Sequence, residues 1–252
     1  NYFNNDENFL TGGVTFYNSN VEINNCIFDS SVAEDTINIV NSKFNIKNSE
    51  FKNSISDGID LDFSFGEIKN TNFSRIEGDA VDLSGSDLKI KKLNFSSIKD
   101  KSISAGEASK LIGEEITISN SYIGIASKDT SLVELNNINI LNSEIADLVT
   151  YKKKSFYSFG KIKINNSKID FNKIYSQRKN LISIDGKKNQ DSLDLKKYLK
   201  KDLDYPFFYD NFIKLIIHNK KSEKNNDDCL NMKCLSKHNI HKEFFYQNNI
   251  LN

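Results

Sequence analysis

The chain has 252 residues, and its 34 Lys and Arg residues balance its 34 Asp and Glu residues, so the formal net charge at pH 7 is zero. This balance argues against a basic nucleic-acid-binding face, and we expect no nucleic-acid partner. The sequence has no long apolar run, so we expect no membrane span in this chain. Because the sequence begins at Asn1, we also expect it to be an excerpt or a processed product.

Similar five-residue stretches recur every 22 residues along the first half of the chain. They begin at Asp35, Asp57, Asp79, Lys101 and Ile123, at equal intervals and without a gap. A repeat this short, rich in β-branched residues and lacking helical spacing, buries its apolar positions only by stacking coil upon coil. The sequence therefore predicts an all-β solenoid, a parallel β-helix with about 22 residues per coil.

Each coil shows three apolar columns. The second and fourth positions after the repeat start are apolar, as in Ile37 and Ile39, which is typical of a strand with one buried face. A second strand follows half a coil later. Pairs such as Asn41-Ser42 and Gly85-Ser86 predict turns at fixed places between the strands. Near the end of the coil we expect a column of stacked aromatic rings: Phe28, Phe51, Phe73 and Phe95.

The repeat loosens after Asp129. A Lys-rich stretch from Tyr151 to Phe159 interrupts the coil before Lys161, which predicts an excursion loop. The β-helix is expected to span residues 12–186, and residues 187–252 are expected to form a C-terminal tail.

The tail differs in composition from the repeats. It is expected to be partly helical, from Ser192 to Lys201, and its apolar cluster from Tyr205 to Ile217 either caps the last coil or is disordered. Two cysteines and two of the three histidines of the tail lie close together, but their spacing does not match the usual zinc patterns: Cys229, Cys234, His238 and His241. Together with Cys26 they suggest no disulfide framework.

A ladder of carboxylates is predicted on the outward face of the first strand of each coil. The third position after the repeat start is Asn38, Asp60, Asp82 and Ser104 in successive coils, and Asp62 follows Asp60 by two residues. Residues in one column of a parallel stack lie about 4.8 Å apart, so these charges repel one another. A bound cation or a function would account for them. Asp60, Asp62 and Asp82 are therefore candidate ligands for calcium, and Asp60 and Asp82 are candidate proton-transfer groups.

Further candidates flank this ladder. Asp57 and Asp79 lie at the strand entrance, where they either bind a ligand or cap a turn by accepting hydrogen bonds from backbone amides. Small residues in the next coils predict a groove that could receive an extended sugar chain, with acids and lysines along it. Lys101, Glu107 and Lys128 are candidate catalytic residues, and Ser104 and Asp129 are candidate binding residues. For Lys101 and Lys128 we favour the alternative of simple solvation, because most lysines are solvated.

Several motifs resemble those of bacterial right-handed parallel β-helix proteins, among them Ser56-Asp-Gly-Ile-Asp-Leu-Asp-Phe-Ser64 and Gly78-Asp-Ala-Val-Asp-Leu-Ser-Gly-Ser86. The closer resemblance is to the C-terminal β-helix of uncharacterised bacterial surface proteins, and it covers about residues 12–186. It implies a right-handed, pectate-lyase-like β-helix, a class that binds extended polysaccharides along a strand face, and an extracellular or cell-surface location. The chain lacks the Asn-Thr-Asp and Gly-His-Gly motifs of polygalacturonase-like hydrolases, so the resemblance supplies no mechanism.

Two functions remain open at this point. The first is a carbohydrate-active or carbohydrate-binding β-helix that handles a surface polysaccharide by lyase, hydrolase or epimerase chemistry. The second is a non-catalytic structural or adhesion module stiffened by a cation. Sugars usually stack on aromatic faces, and only Tyr151 and Tyr157 lie near the predicted groove, which slightly favours the second function. The oligomeric state is not predicted.

Overall fold

The computed structural model describes residues 4–5, 8–9, 11–192 and 195. These residues form a parallel β-solenoid of about 8 turns with about 22 residues per coil, which confirms the predicted fold class. The right-handedness of the coil stays a prediction. The predicted tail helix, apart from Ser192 and Leu195, lies outside the described residues. The predicted cap also lies outside them, as do Cys229, Cys234, His238 and His241.

Two parallel sheets wind through the solenoid. In the eight-stranded sheet, neighbouring strands come from successive coils: β3 (Gly12–Tyr17), β6 (Asp35–Val40), β9 (Asp57–Asp62), β11 (Val81–Ser84), β13 (Lys101–Gly106), β15 (Ile123–Lys128), β17 (Ala146–Tyr151) and β19 (Ile174–Ser176). The eleven-stranded sheet holds the rest of each coil: β4 (Val21–Asn24), β5 (Ile27–Asp29), β7 (Lys43–Lys47), β8 (Glu50–Ser54), β10 (Phe65–Ile76), β12 (Asp87–Ile98), β14 (Lys110–Ser119), β16 (Leu132–Leu141), β18 (Lys161–Lys168), β20 (Ile182–Ile184) and β21 (Lys187–Lys188).

Three elements depart from this parallel pattern. Strands β1 (Asn4–Asn5) and β2 (Asn8–Phe9) pair antiparallel with each other, and β21 pairs antiparallel with β20. A short 3₁₀ helix spans Phe171–Lys173. Within the described residues, no helix is long and apolar enough to cross a membrane.

Each early coil turns at three corners, and one residue in the left-handed region of backbone space makes each turn. In the early coils these residues have φ between +46° and +62°. Asn tolerates this conformation better than most residues, which explains the abundance of Asn at the corners. The corner residues of these coils are Asn18, Asn41, Phe63 and Gly85 at the first corner, Asn25, Asn48, Asn70 and Lys92 at the second, and Ser30, Asn53, Arg75 and Ser97 at the third.

Buried serines follow the first corner and link one coil to the next. The backbone amide of Ser42 donates to Ser64 Oγ at 3.0 Å, and the amide of Ser64 donates to Ser86 Oγ at 2.9 Å. The same bond joins Ser86 to Ser109 at 2.9 Å and Ser109 to Ser131 at 3.1 Å. The ladder satisfies backbone donors that the corner takes out of the sheet. The predicted turns therefore recur at fixed places, as expected.

The core is a continuous apolar column inside the coils. The predicted aromatic stack is present, with ring centroids 4.7 Å apart for Phe28 and Phe51, 5.2 Å for Phe51 and Phe73, and 4.9 Å for Phe73 and Phe95. The alternating positions of the first strand, such as Ile37, are fully buried. Burial of these side chains is the main favourable term in a fold whose repeats contact only their neighbours.

Candidate functional site

The predicted ladder forms a single outward column on the eight-stranded sheet. Asn38 in β6 lies in register with Asp60 in β9, Asp60 with Asp82 in β11, and Asp82 with Ser104 in β13. Asp62 stands two residues further along β9, on the same face. Parallel pairing therefore brings together the carboxylates that the sequence analysis selected.

Asn38 joins two of these carboxyl groups. Its Nδ2 atom donates to Oδ2 of Asp60 at 3.0 Å and to Oδ2 of Asp62 at 3.1 Å. Partial burial raises the pKa of Asp60 well above its ordinary value, and the negative charges of Asp62, Asp35 and Asp82 raise it further. The protonated form of Asp60 is therefore favoured more than in an ordinary aspartate. We call Asp60, Asp62 and Asp82 the acidic cluster.

Lys128 balances the charge of Asp82 from two strands away. Its Nζ atom lies 3.6 Å from Oδ1 of Asp82, and the two side chains are 9% and 23% exposed. Gly106 of the intervening strand β13 makes room for this reach, because a Cβ atom there would lie 2.8 Å from Cε of Lys128. The small residue in the predicted groove thus accommodates the aliphatic part of Lys128.

The entrance column links the backbones of successive coils. Asp57 Oδ1 accepts a hydrogen bond from the backbone amide of Asp79 at 2.8 Å, and Asp79 Oδ1 accepts from the amide of Lys101 at 2.9 Å. Burial and the neighbouring charge of Asp79 raise the pKa of Asp57 to about 8. These contacts fit the capping alternative for Asp57 and Asp79, with the amides coming from the next coil.

Lys101 is buried beside this column. Its Nζ atom lies 2.9 Å from Oδ1 of Asp100 and 3.4 Å from Oδ1 of Asp79, and its side chain is 3% exposed. Lys128 is 7% exposed as a whole residue. The expectation that these two lysines are solvated is therefore wrong.

Glu107 and Asp129 hold the excursion loop that follows β17. The backbone amides of Lys153 and Lys154 donate to Asp129 Oδ1 at 2.7 and 2.8 Å, and Nζ of Lys154 bonds the carboxylate of Glu107. Burial raises the pKa of Asp129, although the two amides act in the opposite direction. Both residues lie further along the solenoid than the acidic cluster, and their contacts position the loop.

The groove expected along β13 and β15 is covered. Ser104 is fully buried, as are the outward-facing Ala126 and Val149 in the next two strands of the column. The physical reason is that the outward positions of β15 and β17 are apolar, so Leu195 packs against them in a second small core. The outward face is only half-buried at Asp60, Asp62 and Asp82.

The sequence analysis did not predict the burial of two polar residues of the site, Asp35 and Ser104. Asp35, which is 3% exposed, accepts a hydrogen bond from the Thr11 hydroxyl, and burial raises its pKa to about 6. The hydroxyl of Ser104 is buried next to Asp82 and has no hydrogen-bond partner among the described residues. The column position of Ser104 was visible in the repeat, but its burial depends on apolar side chains of later coils.

Calcium stays a prediction. In the part of the chain that the structure describes, no group of three or more His, Cys, Asp or Glu side chains is arranged to hold a metal ion. The contacts of the acidic cluster within the described residues include the Asn38 amide and the Lys128 ammonium group.

Comparisons with known proteins add nothing to what the structure shows of the fold class. No protein-family model matches the chain, and no curated protein matches it. Among solved structures, the chain is similar to a trypsin-treated variant of QnrB1, a plasmid-mediated fluoroquinolone resistance protein, at 8% identity over 68% of this chain and 91% of that chain, with a TM-score of 0.24. A likeness this weak carries no argument about function.

Proposed function

We propose that this chain binds or processes an extended polysaccharide at the acidic cluster, as part of an extracellular or cell-surface protein. The observation that supports the proposal most directly is the sharing of one Asn38 amide by Asp60 and Asp62, with the pKa of Asp60 raised well above its ordinary value. Displaced pKa values at neighbouring carboxyl groups are typical of sites that transfer protons.

The chemistry of the cluster suits a sugar substrate. Cleavage of a glycosidic bond requires a proton donor beside a carboxylate, and epimerisation requires a proton donor beside a proton acceptor. Asp60 is the donor in this proposal, and Asp62 or Asp82 is the partner carboxyl group. Lys128 lies 3.6 Å from Asp82, positions that carboxyl group and takes no part in proton transfer.

The test is product formation from a panel of neutral and acidic polysaccharides between pH 4 and pH 9. The wild type should release product from at least one of them, and Asp60→Asn should lose at least about 100-fold in rate, the usual scale of general acid catalysis. Glu134→Gln is the matched control, because this exposed carboxylate lies on the eleven-stranded sheet and should leave the rate unchanged. Equal rates for Asp60→Asn and the wild type would remove Asp60 from the reaction.

A non-catalytic structural or adhesion module is the second candidate. The contacts of Asp57, Asp79 and Asp129 favour it, because all three carboxylates accept backbone amides and so tie segments of the solenoid together. This candidate predicts no product from any polysaccharide. If calcium has a role here, millimolar calcium should raise the melting temperature of the wild type and leave that of Asp82→Asn unchanged.

A further inference from the structure

A second surface on the solenoid has the features of a ligand site. It is a groove of about 690 Å³ on the outward face of the eleven-stranded sheet. The groove crosses five parallel strands, β4, β7, β10, β12 and β14, whose spacing of about 4.8 Å gives it a length of about 19 Å. It lies on the sheet that does not contain the acidic cluster, so the proposed function does not involve it.

Two outward rows of side chains form the floor and walls of the groove. The row at the strand entrance contains, in register, Lys43, Phe65, Asp87 and Lys110. The row two residues further along contains Glu22, Asn45, Glu67, Lys89 and Ile112. The register places every one of these side chains on the same face, so a single extended ligand can touch both rows.

The charges of the groove favour an anion. Lys43, Lys89 and Lys110 make no ion pair with any described residue, although all three line the groove. Glu67 is already neutralised, since its carboxylate lies 2.6 Å from Nζ of Lys69 and 3.8 Å from Nζ of Lys47. Three ammonium groups are therefore available to a ligand, and they lie on strands β7, β12 and β14.

Phe65 gives the groove an apolar platform. Its side chain is 55% exposed, between Lys43 and Asp87 in the entrance row. An exposed ring at a strand position is unfavourable in water, but it stacks well against the flat C–H face of a sugar. Glu22, Asn45 and Asp87 add oxygen atoms that accept hydrogen bonds from hydroxyl groups.

The combination selects among anionic ligands. A peptide that adds to a sheet needs a free strand edge, whereas the middle strands of this groove are paired on both sides. A sugar chain with spaced carboxylates can place its acids on the lysines, its hydroxyls on the oxygen acceptors and one ring on Phe65.

We propose that this groove, formed around Phe65, Lys43, Lys89 and Lys110, binds an acidic oligosaccharide of the uronic-acid type.

The experiment measures fluorescence anisotropy of labelled oligosaccharides on the full chain. The probes are oligogalacturonate, oligomannuronate and hyaluronate oligosaccharides, with methyl-esterified oligogalacturonate as the uncharged match and poly-glutamate as the acidic peptide. We expect at least one acidic oligosaccharide to bind, and its affinity to fall with added salt. The esterified form and poly-glutamate should bind at least about tenfold more weakly.

Two variants and two matched controls locate the binding. Phe65→Ala should weaken binding about fivefold, the usual scale for one aromatic contact. The triple variant Lys43→Gln, Lys89→Gln, Lys110→Gln should weaken it more than about tenfold. Lys161→Gln should change nothing, because Lys161 continues the entrance row two strands beyond Lys110 and does not line the groove. Phe171→Ala removes a ring elsewhere that is 70% exposed, and it should also leave binding unchanged.

The proposal is overturned if no acidic oligosaccharide binds, if the triple variant binds as well as the wild type, or if the esterified probe or poly-glutamate binds equally well. The affected side chains are exposed or line the surface, so the variants should keep the wild-type circular dichroism spectrum. Asp60→Asn separates this site from the proposed function: it should leave oligosaccharide binding in the groove intact, and a loss of binding would assign the ligand to the acidic cluster instead.

Discussion

Two ladders of stacked polar residues show how differently a solenoid treats amides and carboxylates. At the second corner, Asn48 donates to Asn24 at 3.0 Å and accepts from Asn70 at 3.2 Å. Each amide is both donor and acceptor, so this amide ladder satisfies itself at any length. On the eight-stranded sheet, Asp60 and Asp62 have no such complementarity and share the single amide of Asn38.

The comparison shows what a stacked carboxylate requires. An ionised carboxyl group accepts hydrogen bonds but donates none, so a column of them needs protons, cations or donors from elsewhere. The acidic cluster has a cation in the Lys128 ammonium group and a donor in the Asn38 amide, and the pKa of Asp60 is raised well above its ordinary value. Amide side chains could have formed this column at a lower cost in stability. We therefore expect the carboxyl groups that lie there to have a function.

The largest expected difference is in the response to pH. It separates the amide ladder from the entrance column of the eight-stranded sheet, in which Asp35 and Asp57 lie in register. The pKa values of Asp35 and Asp57 are raised to about 6 and about 8 in the folded chain, and burial is the main cause. The folded state therefore binds more protons than the unfolded state above about pH 4, the ordinary range of a carboxyl group. Stability should be highest below pH 4 and should fall as the pH rises through 6 and 8.

Urea unfolding at each pH measures this fall. Asp57→Asn should flatten the curve between pH 6 and pH 9, and Asn48→Ala in the amide ladder should shift the whole curve without changing its shape. A wild-type stability that rises steadily from pH 4 to pH 8 would contradict the raised pKa values of Asp35 and Asp57.

The second largest effect is expected from Lys128→Met. This change keeps the aliphatic chain over Gly106 but removes the ammonium group 3.6 Å from Asp82, which leaves a poorly solvated carboxylate beside Asp60. Unfolding free energy should fall by about 3 kcal/mol, because one partner of a largely buried ion pair is lost.

Lys163→Met provides the control for that prediction. Lys163 and Glu134 form an exposed pair at 3.0 Å on the other sheet, and loss of such a pair costs less than about 1 kcal/mol. Equal losses in the two variants, measured by urea unfolding at pH 7, would mean that the Lys128 contact is an ordinary surface ion pair.

A smaller effect is expected when the entrance column loses an acceptor. Asp57→Ala leaves the backbone amide of Asp79 without its 2.8 Å partner and should cost about 1 to 2 kcal/mol in unfolding free energy at pH 6. Asp57→Asn keeps an acceptor oxygen and should remain close to the wild type at that pH. If both variants lose the same stability, the carboxyl group acts through its charge and the backbone contact is unimportant.

The smallest effect is expected from placing a carboxylate in the amide ladder. Asn48→Asp loses the donor to Asn24 and should cost about 0.5 kcal/mol at pH 7, since the site is exposed. At pH 3 the protonated carboxyl group can donate again, so the loss should disappear. Thermal melts at the two pH values test this, and an unchanged loss at pH 3 would show that the backbone corner, with φ of +50° at Asn48, is the cause.

Most of the solenoid could be predicted because its period lies in the sequence. The equal spacing of Asp35, Asp57 and Asp79 fixes the coil length, and the stacking of Phe51 on Phe73 follows from that spacing alone. The register of Asn38, Asp60 and Asp82 follows in the same way, because parallel coils align equivalent positions. Residues that recur at the same position of the repeat are therefore stacked above one another in the solenoid.

The parts of the site that could not be predicted come from residues outside the repeat. Lys154 reaches Glu107 from an insertion 47 residues later, and no spacing rule places it there. Leu195 covers the outward face near Ala126, so positions that are solvent-facing in an isolated repeat become buried. Burial in turn sets the pKa of Asp129, which the repeat alone leaves at its ordinary value.

The most direct test of the account is a carbon-13 NMR titration of the aspartate carboxyl groups. The account predicts that Asp60 titrates well above the ordinary range of an aspartate and that Asp57 titrates near pH 8. Asp29 is an internal reference, since its hydrogen bonds to Asn53 and Ser30 lower its pKa below the ordinary value. Titration of Asp60 and Asp57 near pH 4, the ordinary value for an aspartate, would contradict the central claim that stacking and burial raise the pKa values of these carboxyl groups.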